Sequence, residues 1–206
     1  MGYHAAVRGY RVAFAVLSLV AIAYQAKELA DRDLFRPGNY FSFFTIQSNL
    51  LAAAVLIWSV TGDQDRRDPA TVDLVRGAAT LYLCITGLVV VLLLSGRQEE
   101  LAVPLKWVDA VVHQVMPIVL LADWLIVPPT TRIPFRRALV WLVYPLVYAA
   151  YSLIRGPLVD WYPYPFLNPN HVGGYGVVAL SCVGIAGGTF FLTWLVIVLG
   201  NRRRRR

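Results

Sequence analysis

Residues 39–60, NYFSFFTIQSNLLAAAVLIWSV, carry the decisive reading of this chain. The stretch is long enough to cross a bilayer, which takes about 20 predominantly apolar residues for roughly 30 Å of hydrocarbon. Its first half nevertheless holds Ser42, Thr45, Gln47, Ser48 and Asn49. Polar groups at that depth have to face protein or water, because lipid offers them no partner. At roughly 100° per residue, Ser42, Thr45, Ser48, Asn49, Ala52 and Ser59 fall on one stripe, which is expected to face a bundle interior. Gln47 points nearly opposite Thr45 and needs a separate partner. Two readings of Thr45 stay open from the stripe alone: a hydroxyl bonded back to the carbonyl one turn earlier, or a working group in a polar cavity.

The surrounding composition places this stretch in a membrane protein. The chain has 206 residues, 58% hydrophobic and 15% charged, and a mean hydropathy of +0.58, outside the range of ordinary soluble domains. Apolar runs at 10–26, 39–60, 74–95, 107–127, 135–154 and 174–199 predict an all-α, polytopic fold: one bundle of six transmembrane helices over 1–200 and a basic cytoplasmic tail at 201–206. The breaks carry turn residues, as in RPGN at 36–39, TGDQDRRDP at 61–69, SGRQEE at 95–100 and VPPTTRIP at 127–134. Arg8 and Arg11 ahead of the first run, and AIA at 21–23, resemble a leader with its cleavage site. The expectation is a retained helix.

Basic residues in short loops set orientation. Arg8, Arg11, Arg66, Arg67, Arg76, Arg132, Arg136, Arg137 and the run Arg202 to Arg206 collect on one side and outnumber Lys27, Arg32, Arg36, Arg97, Lys106 and Arg155 on the other. Both termini are therefore expected in the cytoplasm, with loops 27–38, 96–106 and 155–173 on the opposite face. The net charge of +7 is read as an arginine tail against anionic membrane lipids, with no nucleic-acid partner. No zinc spacing, Walker loop, GxSxG elbow or dinucleotide fingerprint occurs, so no metal or cofactor is expected. Cys84 and Cys182 lie in apolar runs and read as free packing residues.

The fourth run, KWVDAVVHQVMPIVLLADWL at 106–125, holds the one histidine inside an apolar run. Ionisable groups there are costly and mark functional candidates. Asp109 lies one turn before His113 and can hydrogen-bond one ring nitrogen, leaving the other basic, as general-base work requires. A structural His–Asp pair is the other reading. Pro117 removes the helical bond to the His113 carbonyl and should loosen the turn beside the imidazole. Asp123, about 80° round the helix, is assigned to the headgroup region or a structural ion pair. Thr45 and His113 each lie six residues into their runs, about 9 Å deep at 1.5 Å per residue. Two groups at equal depth can share a cavity open to the non-cytoplasmic side. The loop DWYPYPFLNPNH at 160–171 reads as a semi-rigid lid or as an aromatic belt, with His171 as a rim ligand or a solvated loop residue.

FFTIQSN at 43–49, KWVDAVVHQVMP at 106–117 and YPYPFLNPNH at 162–171 resemble, in the same order, the androgen-induced gene family of six-helix membrane proteins. That family includes the androgen-dependent tissue-factor-pathway-inhibitor-regulating protein, and its animal members are threonine hydrolases of fatty acid esters of hydroxy fatty acids. The resemblance implies Thr45 as nucleophile and His113 as base, with YPFL matching Tyr164 to Leu167. Asp109 stands where animal members resemble Asn, and Pro117 is one position nearer the histidine. Together these imply an intramembrane ester hydrolase in a bacterial plasma membrane, the Arg-rich, Lys-poor basic set suiting a GC-rich bacterial genome, with a lipid ester from the outer leaflet as substrate. Ser48, Asn49, Tyr162 and Tyr164 become candidate oxyanion donors, and Lys27, Lys106 and Arg155 candidate holders of a substrate carboxylate. The rival readings are a transporter lined by SxxTxxSN, a non-enzymatic membrane protein, and a haem protein ligated by His113 and His171.

Overall fold

The structure, a computed structural model, describes residues 2–61, 68–94 and 105–204. All regular elements among them are helical. Helix α1, Gly2–Asp31, runs 30 residues, well past the expected 10–26 at both ends, because no proline interrupts it. It stops where Asp33 takes a left-handed φ of 58°, so the loop expected from residue 27 starts after Asp31.

The stretch 39–60 is not one helix. A short helix α2, Pro37–Tyr40, is followed by a break, and α3 spans Phe44–Trp58. Phe43 is extended, with φ −72° and ψ 128°. Tyrosine hydroxyls from distant segments take over the bonds that a preceding turn would make. Tyr148 Oη accepts the Phe44 N–H at 3.2 Å and donates to the Ser42 carbonyl at 2.9 Å, and Tyr164 Oη accepts the Thr45 N–H at 3.3 Å. First-turn N–H groups have no intrahelical acceptor, and the tertiary structure supplies two.

Helix α4, Pro69–Val89, starts on Asp68, whose carboxylate accepts the Ala70 and Thr71 N–H groups, and continues as a π turn, Val90–Leu94. Helix α5, Lys106–Ala110, passes through a π turn, Val111–Val115, into α6, Met116–Ile126. Helix α7, Phe135–Ala138, leads by a 3-10 turn, Leu139–Leu142, into α8, Val143–Val159, which runs beyond the expected end at 154. The following segment contains a 3-10 turn, Pro165–Leu167, and α9, Pro169–Val172. Gly173 and Gly174, at φ 88° and 112°, turn the chain into α10, Tyr175–Arg203. Arg202 and Arg203, expected in the tail, are thus helical. Arg66, Arg67, Arg97, Arg205, Arg206 and loop residues 96–104 lie outside the described residues.

Among the described residues, five helices are long and apolar enough to cross a membrane, ending at Asp31, Leu93, Ile126, Val159 and Arg203. At 15 residues, α3 covers about 22 Å, less than a full hydrocarbon thickness. The expected stripe is buried along its length, from Ser42 through Thr45, Ser48, Asn49 and Ala52 to Ser59. Gln47 donates to the Phe41 carbonyl and accepts from Tyr144 Oη. Cys84 and Cys182 are free thiols, half-buried.

Two apolar clusters hold the helices together. One gathers Ala15, Ile22, Ile46, Leu56, Val112 and Met116, and the other gathers Phe44, Tyr82, Trp124, Trp141, Tyr164 and Val196. Thr45 lies between Phe44 of one cluster and Ile46 of the other. Arg11 and Arg76, counted with the loop charges from sequence, are instead buried. Both grip Asp123, through Arg11 Nε to Oδ1 at 2.7 Å and Arg76 Nη2 to Oδ2 at 2.8 Å, so Asp123 belongs to an interior ion cluster and not to the headgroup region. The Arg76 guanidinium also lies 5.6 Å from the Trp124 ring centre. A buried carboxylate between two guanidiniums is tolerated because each charge is paired and hydrogen-bonded.

Candidate active site

Thr45 is the second residue of α3, and the break at residues 41–43 leaves its side chain at an open helix start. His113 sits at the middle of the π turn, where Pro117 cannot donate to the His113 carbonyl. This turn carries the imidazole toward α3: Thr45 Oγ1 lies 3.1 Å from His113 Nε2. Asp109, one turn earlier, lies 2.7 Å from His113 Nδ1. A carboxylate only accepts, so Nδ1 carries the ring proton and Nε2 presents its lone pair to the threonine hydroxyl. Thr45 and His113 are both buried. The back-bonded reading of Thr45 does not hold, since its hydroxyl contacts His113 Nε2 and Tyr164 Oη and not the Phe41 carbonyl one turn earlier.

A third group completes the cluster from the segment after α8. Tyr164 Oη lies 3.3 Å from Thr45 Oγ1 while also accepting the Thr45 N–H. Burial holds its phenol above the usual range, so it remains a protonated donor. The segment is seated by aromatic contacts: Phe43 meets Trp161 and Tyr164 edge-on, and Tyr164 stacks on Phe166 at 5.2 Å. Tyr164 and Leu167 are buried within the second apolar cluster, so this part of the loop is a packed roof over Thr45.

The remaining residues singled out from sequence separate clearly. Ser48 donates within α3 to the Thr45 carbonyl and contacts Thr86 Oγ1 at 3.0 Å. Asn49 spends its amide hydrogens on the Thr45 and Val112 carbonyls. Neither lines a cavity at Thr45; their role is to tie α3 to its neighbours beneath the threonine. Tyr162 lines the opening but packs against Gly156, where an added Cβ would fall 2.0 Å from its ring. Lys27 pairs with Asp31 on the exposed side of α1 and stands away from the opening. Arg155 Nη2 donates to Asn39 Oδ1 at 2.8 Å, and its guanidinium covers the Trp161 ring, bracing α8 against α2 and the roof. Of the three proposed carboxylate holders, Lys106 alone lines the opening, together with Arg32 and Arg36, which sequence reasoning did not select. Arg32 is paired with Glu28, whereas Arg36 Nη1 reaches only backbone carbonyls at 3.3 Å. His171 stands at the exposed rim of the same opening.

Two cavities meet at this cluster. A vestibule of mixed polarity, about 1180 Å³, is lined by Thr45, His113, Asp109 and Tyr164 at its floor and by Lys106 and Arg36 at its rim. An apolar chamber of about 500 Å³ lies on the other side, and Thr45 and Tyr164 line both. Sequence reasoning missed this second chamber and the Tyr148 hydroxyl, and it selected Tyr164 without foreseeing its bond to the helix start. The signal available for the latter was the tyrosine-rich segment, whose partners are more than 100 positions away in the chain.

No family model, curated protein or solved structure matches the chain. The fold and site define an all-helical protein with the helices of a multi-pass membrane protein and a Thr–His–Asp cluster, its threonine and histidine buried, at the floor of an open cavity.

Proposed function

We propose that this protein is an intramembrane threonine hydrolase of lipid esters, similar to the androgen-induced gene family, with six membrane crossings and both termini cytoplasmic. The observation that carries the reading is the 3.1 Å contact between Thr45 Oγ1 and His113 Nε2, with Asp109 2.7 Å from the other ring nitrogen. Thr45 Oγ1 attacks the ester carbonyl while its proton passes to His113 Nε2. Asp109 stabilises the imidazolium and fixes the tautomer. The carbon–oxygen bond to the alcohol breaks and the leaving oxygen takes the proton from Nε2. Water then attacks the acyl-threonine, giving its proton to Nε2, and the carboxylic acid departs as Thr45 recovers its hydrogen.

The developing oxyanion is stabilised by the Tyr164 hydroxyl and by the positive end of α3, at whose second position the nucleophile sits. Lys106 and Arg36 at the vestibule rim are placed to hold a free carboxylate on the alcohol part of the substrate, as in a fatty acid ester of a hydroxy fatty acid. The haem reading is disfavoured by the engagement of both His113 nitrogens. The positive-inside bias of the basic residues supports the orientation, and the scarcity of lysine, with Lys27 and Lys106 the only two, supports a bacterial plasma membrane.

Hydrolysis of a fluorogenic fatty ester by the purified protein tests the assignment. Thr45→Ala and His113→Ala are each expected to lower turnover by at least about 10³-fold, and a fluorophosphonate probe is expected to label the wild type and not Thr45→Ala. Turnover retained in either variant rejects the scheme.

A further inference from the structure

The two chambers differ in one respect that assigns the ends of the substrate. Thr45 and Tyr164 line both, but His113 lines only the vestibule. The leaving alcohol oxygen must receive its proton from His113 Nε2, so the alcohol part has to lie on the vestibule side of Thr45. The acyl part, across the carbonyl carbon, is directed to the other side. Resting on the hydrolase reading of Thr45 and His113, we infer that the apolar chamber is the acyl-chain site, filled from the lipid phase by a long hydrocarbon chain.

The walls suit that occupant. Ile85 and Val89 of α4, Ala149 of α8 and Ala186 of α10 enclose a space of about 500 Å³ roofed by Phe166 and Leu167, within the roughly 300–1,000 Å³ typical of small-molecule sites. Its outer end is bordered by Leu146, Val183 and Phe190, which are 61%, 68% and 50% exposed. These belong to the apolar faces of α8 and α10, together with exposed Val147, Ile154 and Leu180. Faces of that composition meet lipid in a membrane-spanning bundle. The chamber therefore opens sideways between α8 and α10 into hydrocarbon, whereas the vestibule opens past charged residues toward water. An acyl chain enters along its own solvent, the alcohol leaves through the vestibule, and the water for deacylation arrives beside His113 while the chain stays held.

The consequence is that α8 and α10 set acyl-chain selectivity without touching the reacting atoms. Ala186→Trp and Ala149→Leu fill the chamber, and Leu180→Trp, on the lipid-facing side of α10 and outside the lining, serves as control. With the protein in nanodiscs, kcat/KM is measured for acetyl and palmitoyl esters of one fluorogenic alcohol. The chamber-filling variants are expected to lower palmitoyl ester turnover about tenfold or more while acetyl ester turnover stays within about twofold, and the control changes neither. Equal loss for both esters, or undiminished palmitoyl turnover, overturns the assignment. Should the wild type hydrolyse neither ester, the hydrolase reading fails separately, and photolabelling with diazirine-bearing palmitate decides the chamber. Labels on α8 and α10 that Ala186→Trp removes support the acyl site, and labels that persist in that variant, or fall elsewhere, overturn it.

Discussion

Tyr164 makes two contacts with a single residue, accepting the Thr45 N–H and meeting the Thr45 hydroxyl at 3.3 Å. In the proposed mechanism, the oxygen of an ester carbonyl attacked by Thr45 would lie beside the phenol, which burial keeps protonated. Tyr164→Phe keeps the ring packing on Phe43 and Phe166 but removes the donor. Loss of one oxyanion donor costs about 10²–10³ in kcat, and that loss is expected here with KM little changed; steady-state kinetics on the fluorogenic ester measure it. Asp109→Asn is expected to fall between the wild type and His113→Ala in the same assay, because an amide oxygen still orients Nδ1–H while the charge opposing the imidazolium is gone. Thr45, His113 and Asp109 were legible as candidates in the sequence, because buried polar residues and an i, i+4 carboxylate are local patterns. Tyr164 was one candidate among four. Ser48 and Asn49 shared the stripe with Thr45, yet their hydrogen bonds run into the helix packing and not into a cavity, a difference no periodicity carries.

At the scale of elements, the π turn Val111–Val115 determines where His113 points, and it depends on a close neighbour. A Cβ built on Gly87 of α4 would lie 3.3 Å from the Pro117 ring and 3.4 Å from the His113 carbonyl. The absent side chain lets α4 approach the loosened backbone where Pro117 leaves that carbonyl without its helical donor. Gly87→Ala is expected to push the turn by tenths of an ångström. Misplacement of a catalytic group by about 1 Å costs on the order of 10²-fold, so a shift of tenths of an ångström should lower activity by roughly a few-fold while thermal stability changes little. Parallel measurement of turnover and of unfolding temperature in detergent separates the two. Pro117 flagged this loosening in the sequence, but the π geometry was not legible, since a proline is equally compatible with a kink. The break before α3 was also invisible: Phe41, Ser42 and Phe43 contain no helix breaker, and it is the Tyr148 and Tyr164 hydroxyls that make a helix start favourable there.

Across the whole molecule, the site and the ion cluster share one helical run, Lys106–Ile126. His113 and Asp123 are ten residues apart, about 15 Å along the axis. Asp123 receives Arg11 from α1 and Arg76 from α4, pinning three helices at that end while the other end holds an open vestibule. Removing one partner of a buried pair leaves an uncompensated charge and costs about 3–5 kcal/mol. Asp123→Ala strands Arg11 and leaves Arg76 with Asp73, 4.0 Å away, as its charged partner, and is expected to lose about that much, seen as a lower unfolding temperature in detergent. Removing the stranded charge with Arg11→Met in the same chain should recover part of it.

Composition alone settled that the chain is helical and suited to a membrane, because burial in lipid demands long apolar runs whose backbone bonds close internally. Local spacing also marked Thr45 and the His113–Asp109 pair, since groups one turn apart share a helix face whatever the rest of the molecule does. Tertiary structure alone decided that Thr45 sits in the first turn of a helix, that Tyr164 caps it from 119 residues away, and that two chambers of unlike polarity meet at its hydroxyl. Those features arise from side chains on separate helices converging, and a pattern along one helix holds no information about which face of another will stand opposite it.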